Sequence, residues 1–336
     1  MLQGHSALGP AVFQIGDNHL VLRSADAALA DGFVRLYGDC RVDATAARGA
    51  AVECVVQPAA DSEAVVIDVI DPDPLDIAHF METAFADRGC RRLPAIPADG
   101  WQQMQSDEPR VVFEVRGQQV RFPARSAWRA LAANLGVGLV VRLQRNIIFL
   151  HASAIAIGRA RRGVVFIGPK AAGKTTTALG LASRGHAFLG DEIVGVREGS
   201  REIVPVLRTI SKRDGPCGTG VDEAIAAMSP ARTRYPDGHS RTNIRASRLF
   251  SAGLVPSSLE AIVFLDPVGP VPQLTPVPSS LETASRLTPV TSTLWGRSPT
   301  SRAFALVRLL ASVPGYRLQL GPPDATSDFL ERAFAD

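Results

Sequence analysis

Eight residues, GPKAAGKT at 168–175, carry the strongest chemical signal in this 336-residue chain. Two glycines allow a tight turn in which successive N–H groups converge on one anion. A helix starting directly after the turn aims its positive end at the same charge. Gly168, Pro169, Lys170, Ala171, Ala172 and Gly173 form the cradle and Thr176 follows it. Lys174 is a cation able to reach β- and γ-phosphate oxygens, and the Thr175 hydroxyl suits Mg²⁺. The apolar run 164–167 before the motif and the helical spacing of 176–184 after it are the flanks it requires, with Gly185 placed as a helix C-cap. The expected ligand is a nucleoside triphosphate with Mg²⁺; these residues read ATP and GTP alike.

A carboxylate beside such a loop ligates the metal or accepts a proton from the attacking hydroxyl. Two strand ends compete for that role: 187–189 runs into Gly190-Asp191-Glu192, and AIVFLD at 261–266 ends on Asp266. His151 sits inside NIIFLHASAIAI, 146–157, read as one buried strand. A histidine in an apolar run is most often a satisfied core residue, but this strand directly precedes the one feeding the loop. Two basic stretches, LRTISKRDG with Arg208, Lys212 and Arg213, and RTNIRASR with Arg241, Arg245 and Arg248, read as turn-rich segments. Either could neutralise a transferring phosphoryl group. The acidic group Asp68, Asp71 and Asp73 is interrupted by Pro72 and lacks the glycine and terminal glutamate of a calcium loop, so it reads as a solvated turn and helix cap.

The elements that must position these residues divide at about residue 133. A composition 46% hydrophobic and 21% charged over 336 residues predicts two globular domains. The first, 1–133, reads as a small α+β domain for partner or substrate recognition. It has strands at 11–15, 19–22, 33–36, 51–56 and 64–70, a helix at 74–86, and a hairpin of 111–115 with 118–122 turning at Arg116-Gly117. The second, 134–336, is entered through a helix at 127–143 and contains the loop. Beyond Asp266, proline-rich 266–278 reads as a surface loop, followed by helices at 281–287 and 302–311, a strand at 316–320 and a last helix. A net charge of +3, dispersed arginines and 6% aromatics argue against a nucleic-acid partner. Cys40, Cys54, Cys90 and Cys217 lack metal-ligand spacing and suit a reducing compartment. The first ten residues lack a signal pattern and no apolar run approaches membrane length, so a cytoplasmic protein without membrane association is expected.

From about 146 to 196 the chain resembles the HPr kinase family and its relatives, which share a nucleotide-binding core with phosphoenolpyruvate carboxykinase. LHASAIAI, GPKAAGKTTTALGLASRGH and LGDEIVGV carry the likeness, in the family's order and spacing. The resemblance implies an α/β P-loop kinase core that is not a standard doubly wound sheet. It places His151 near the transferred phosphate and makes Asp191 the base. Thr175, Asp191 and Glu192 become the metal ligands, with Glu192 where the family usually has a second aspartate, and Asp266 falls back to a strand end. A basic loop in related kinases favours Arg208 and Lys212 as charge partners. Outside 146–196 the family pattern is not matched, and the chain looks closest to the shorter HPr-kinase-like proteins of peptide-modification pathways. The resemblance therefore implies ATP- and Mg²⁺-dependent phosphorylation of a serine on a peptide or protein other than HPr, and suggests a homo-oligomer. A small-molecule kinase or carboxykinase-like enzyme, and a nucleotide-dependent switch with slow hydrolysis, remain the alternatives.

Overall fold

The computed structural model describes residues 10–24, 27–49, 51–58, 63–69, 110–115, 118–123, 136–138, 140–141, 144, 146–228, 230, 232–234, 240–249, 257–278, 280–287 and 299–334. The chain forms two compact units, one of residues 1–144 with 293–296 and one of 145–292 with 297–336.

In the first unit, β1 (Ala11–Ile15) and β2 (Asn18–Ser24) form a hairpin closed by a two-residue turn with Gly16 at φ +60°. Gln144 clips that turn: its Oε1 accepts from the Asp17 amide at 2.8 Å and its Nε2 donates to the Ile15 carbonyl at 2.9 Å. With β3 (Arg41–Val42), β4 (Ala51–Pro58), β5 (Glu63–Val69), β6 (Arg110–Val115) and β7 (Gln118–Pro123) they make a seven-stranded sheet, ordered β3-β1-β2-β4-β5-β6-β7. The expected strand at 33–36 is instead part of helix α1 (Ala27–Tyr37). Leu29, Phe33 and Tyr37 recur every four residues and are all buried, and the Phe33 ring lies 5.7 Å from that of Phe13. The local alternation in FVRL therefore lost to a longer helical period. The expected helix at 74–86, the hairpin turn 116–117, and Asp71 and Asp73 lie outside the described residues. Of the helix expected at 127–143, residues 136–138 and 140–141 are helical and buried.

The second unit contains β8 (Ile147–Leu150), β9 (Ser153–Ile157), β10 (Arg162–Ile167), α2 (Lys174–Ala182), β11 (Ala187–Gly190), β12 (Val194–Arg197) and β13 (Glu202–Val204). It continues through β14 (Ile210–Arg213), α3 (Thr219–Ala227), β15 (Arg232–Arg234), β16 (Ser240–Ile244), α4 (Ala246–Leu249) and β17 (Ser257–Asp266). Last come β18 (Gln273–Pro276), α5 (Ser280–Leu287), α6 (Pro299–Leu310), β19 (Gly315–Gln319) and α7 (Pro323–Phe334). A mixed nine-stranded sheet is ordered β11-β9-β10-β17-β13-β12-β8, with β19 also on β17 and β18 on β19.

Three expectations from sequence change in this unit. The run 146–157 is two strands in different parts of the sheet: β8 pairs with β12, while β9 pairs with β10 and β11. Apolar residues on both sides hid the break at His151-Ala152. The proline-rich stretch holds β18, which pairs with β19 alone and ends on Pro276, as suits a residue that cannot donate to a ladder. The two basic stretches contribute β14 and β16, which pair directly, Lys212 opposite Thr242 and Arg213 opposite Arg241. They are strands of a separate three-stranded sheet, ordered β14-β16-β15, rather than turns.

Strand direction brings the functional segments to one place. Because β9 is antiparallel to both β10 and β11, those two run the same way, and β17 and β19 are parallel to β10 through β17. The carboxyl ends of all four share one edge, where ligands of α/β sheets ordinarily bind.

Helix α2 is fixed by α7. Arg184 donates to Asp328 and, at 2.8 Å, to Glu331; His186 accepts from the Gly158 amide on Nδ1 and donates to Glu331 through Nε2 at 2.9 Å. The helices come close at Gly180, where an added Cβ would lie 2.6 Å from Ser327 Oγ. Replacing Gly with Ala inside a helix gains about 0.5–1 kcal/mol, and overpacking costs about 1–3 kcal/mol. Gly180→Ala is therefore expected to lower the melting temperature by a few degrees, and Ser327→Ala, which removes the obstructing oxygen, to recover most of the loss. Additive effects of the two substitutions in thermal unfolding would contradict this contact.

Candidate functional site

The site is built at the edge where β10 gives way to α2. The turn 168–173 is held by the Ala172 amide on the Pro169 carbonyl at 3.2 Å, and the helix opens with the Thr177 amide on the Gly173 carbonyl at 2.9 Å. Gly173 has φ +97°, a conformation glycine alone adopts cheaply. An added Cβ at Gly168 would sit 2.8 Å from the Ala172 Cβ, so the turn closes this tightly only without a side chain there. Ala171 lies at φ +70°, a local strain of the kind that clusters at functional sites. Lys174 is buried and donates to the Gly168 carbonyl at 2.8 Å and the Pro169 carbonyl at 3.1 Å. Burial lowers its pKa, and the charges of Glu192 and Asp191 oppose that shift.

Asp191 emerges from the end of β11 and is 4% exposed. Thr175, from the first turn of α2, donates to its Oδ2 at 2.9 Å with Oδ1 at 3.1 Å, and Ser153, from β9, donates to Oδ1. Burial pushes the Asp191 carboxyl upward; the Ser153 hydrogen bond works against this, the Glu192 charge adds to it, and the Thr175 and Glu192-amide hydrogen bonds oppose it. Glu192 has φ +70°, which swings the chain out of β11. His151, at the break between β8 and β9, donates from Nδ1 to the Glu192 carbonyl at 3.1 Å and lies 3.4 Å from Glu192 Oε2. His151 thus holds the bend that carries both acids.

These groups line a cleft of about 260 Å³ with loop residues 170–176 on one side and 211–216 with Arg241 on the other. His151, Lys174, Thr175, Asp191, Glu192 and Lys212 come together around it. Arg208 does not line it; Arg213 and Arg241, cross-strand partners on β14 and β16, do. Lys212 lies 3.7 Å from Asp222 and donates to the Gly215 carbonyl, tying the far wall to α3. Asp266 is engaged elsewhere, by Arg317 at 2.7 Å. Sequence reasoning passed over Ser153. The available signal was a serine at an inward position of an apolar strand, because a buried hydroxyl must find a partner. Among the described residues no three histidine, cysteine, aspartate or glutamate side chains are placed to hold a metal ion by themselves, and no helix is long and apolar enough to cross a membrane.

No family model matches the chain, and no curated protein matches it in sequence. Among solved structures, the HPr(Ser) kinase/phosphatase from Coxiella burnetii aligns over 55% of this chain and 86% of its own, at 12% identity and a TM-score of 0.26.

A buried carboxylate costs stability when charged. Since the folded-state pKa of Asp191 lies above its unfolded value, the fold binds the proton more tightly. Its contribution to stability is greatest below the unfolded pKa and declines as pH rises through the raised value. Asp191→Asn should therefore melt higher than wild type in ligand-free protein at neutral pH, with a gap that shrinks toward acid; a gap independent of pH would refute a buried charge. Ser153→Ala should cost about 1–3 kcal/mol, the ordinary penalty for stranding one buried partner. The loss should be smaller in an Asp191→Asn background, measured as a double-mutant cycle.

Proposed function

We propose that the second unit is an ATP- and Mg²⁺-dependent kinase that transfers the γ-phosphoryl group to a hydroxyl, that of a serine on a peptide or protein other than HPr. One observation carries the reading: a hydroxyl at the start of a helix, Thr175, is hydrogen-bonded to a buried carboxylate, Asp191, immediately beside a lysine whose ammonium rests on backbone carbonyls. A metal needs hard oxygens and a polyphosphate needs a desolvated cation with converging amides. The residues fit both. Thr175, Asp191 and Glu192 offer the oxygens; Lys174 and the amides of 170–175 offer the positive field.

Bound ATP supplies the phosphoryl group and Mg²⁺ its counter-charge. Lys174 exchanges its two carbonyls for phosphate oxygens. Asp191, more basic than an ordinary aspartate because it is buried, accepts the proton of the attacking hydroxyl. Lys212, Arg213 and Arg241 face the loop across the cleft and neutralise charge on the transferring group, the role expected of Arg208 and Lys212. His151 positions the acids through the Glu192 carbonyl. The peptide nature of the acceptor rests on the resemblance of 146–196.

Incubation with γ-labelled ATP, Mg²⁺ and cell-extract peptides should place label on a seryl acceptor. Lys174→Ala should abolish the label. Asp191→Asn should reduce transfer by about 10²–10⁴-fold, the usual worth of a general base, while affinity for nucleotide without Mg²⁺ stays within a few-fold. Label recovered only as free phosphate would overturn the kinase reading. Activity should also fall on the acid side at a pH above the ordinary aspartate value of about 3.9, and Glu192→Gln should move that limb to lower pH by removing a like charge.

A further inference from the structure

The small sheet that supplies the far wall of the cleft is basic throughout. Its strands β14, β15 and β16 carry Lys212, Arg213, Arg232, Arg234 and Arg241 and no acidic residue. Pairing gathers these cations at one end of the sheet. Arg213 stands directly opposite Arg241, and Arg241 in turn opposite Thr233, so that Arg232 and Arg234 follow one residue to either side. Arg213 and Arg241 are half-buried and line the cleft. The Arg232 side chain is 70% exposed and donates to exposed Asp214 at 3.2 Å.

Charge on an edge strand guards it against pairing with other chains, which accounts for Arg232 on β15, an edge among the described residues. That function does not extend to Arg213 and Arg241, which lie inside a cleft. Like charges directly opposite one another weaken a sheet, and an anion lying across them reverses the sign of their contribution. A phosphoryl group in the cleft answers to the inner cations, while Arg232 continues the basic surface one strand further out. The same cleft carries Asp191 and Glu192 on the bend that follows β11. A ligand bearing carboxylates is therefore repelled from one wall and drawn to the other, and such complementarity fixes orientation.

We infer that this sheet docks an acidic, extended segment of the acceptor, whose carboxylate side chains seat against Arg213, Arg241 and Arg232 while the serine faces Asp191. This rests on the proposed transfer to a seryl hydroxyl and adds what must surround that serine. Adjacent strands lie about 4.8 Å apart, so β14 to β15 spans about 10 Å, which an extended chain covers in about three residues. The carboxylates therefore belong within about three residues of the serine. Nucleic acid is anionic too, but these three strands carry no aromatic side chain on which a base could stack.

The test is phosphorylation of a serine-centred peptide library, degenerate on both sides of the serine, by the full chain with γ-labelled ATP and Mg²⁺. Aspartate and glutamate are expected to be enriched about two- to fivefold over asparagine and glutamine at one or more flanking positions, the worth of an exposed ion pair. The enrichment should fade at about 0.5 M salt, where such pairs are screened. Arg232→Glu, an exposed position outside the catalytic machinery, should lower the acidic enrichment while label on neutral peptides stays within about twofold. Arg241→Glu should exchange the acidic preference for lysine or arginine; Arg232→Glu decides the matter if that variant does not fold. Equal labelling of acidic and neutral peptides, or an acidic preference that survives Arg232→Glu, would overturn the docking surface while sparing the kinase. Stronger inhibition by an oligothymidylate than by a glutamate peptide of equal charge would overturn it in favour of nucleic acid. No label on any peptide would overturn the seryl-kinase reading and the docking surface together.

Discussion

The Asp191 carboxylate, buried and held by two hydroxyls, is the constraint around which the second unit is arranged. A charge in that position is disfavoured unless hydrogen bonds surround it, and its partners come from separate elements: Ser153 from β9 and Thr175 from α2. Each bond therefore fixes an element relative to β11. The cost of burial is retained rather than removed, since an asparagine or an apolar residue would fill the space without it. Persistent cost of this kind is characteristic of sites whose chemistry needs a strong base or a metal ligand.

Strand direction makes that convergence possible. In a purely parallel sheet a helix would have to connect β10 to its neighbour on each side. Here β9 returns antiparallel between β10 and β11, so the chain passes from β10 through one helix and arrives in β11 two positions away, still pointing the same way. Loop and acids then sit at one edge with β9 between them, close enough for Ser153 to touch Asp191. The same geometry separates the chemistry by flank, with carboxylates beyond β9 and apolar loops beyond β17.

The loop was legible from sequence because its requirements are local: glycines at a tight turn, a lysine and threonine at fixed offsets, apolar residues before and helical spacing after. Asp191 was legible through the resemblance alone, since Asp266 offered the cleaner strand pattern and only three-dimensional pairing shows Arg317 occupying it. What could not be read were relations between distant segments. Nothing in ISKR or SRTNI announces that the two strands pair, yet that pairing brings Arg213 and Arg241 to the cleft in place of Arg208. The apolar residues on both sides of His151 gave no sign that the chain changes position in the sheet there. The alternation of FVRL imitated a strand over four residues, while the helical period that prevailed needed the nine from Leu29 to Tyr37 to be visible.

Lys174 is paired within its own loop. Its ammonium is partly desolvated, which lowers its pKa, and two carbonyls of its own loop accept its hydrogen bonds. Such self-pairing keeps a buried cation from standing alone, and under the proposed function an incoming phosphate would have to displace these bonds. That exchange would be favourable because a neutral carbonyl gives a charged donor less than an ionised oxygen does, by roughly a factor of two in hydrogen-bond strength. Thr175 stands in the same relation to Asp191, a hydroxyl occupying a carboxylate that a cation would engage more strongly. Both residues are thus satisfied moderately rather than maximally. A loop wired this way is ordered by its own bonds, and under the proposed function a triphosphate would bind it without the cost of ordering the chain.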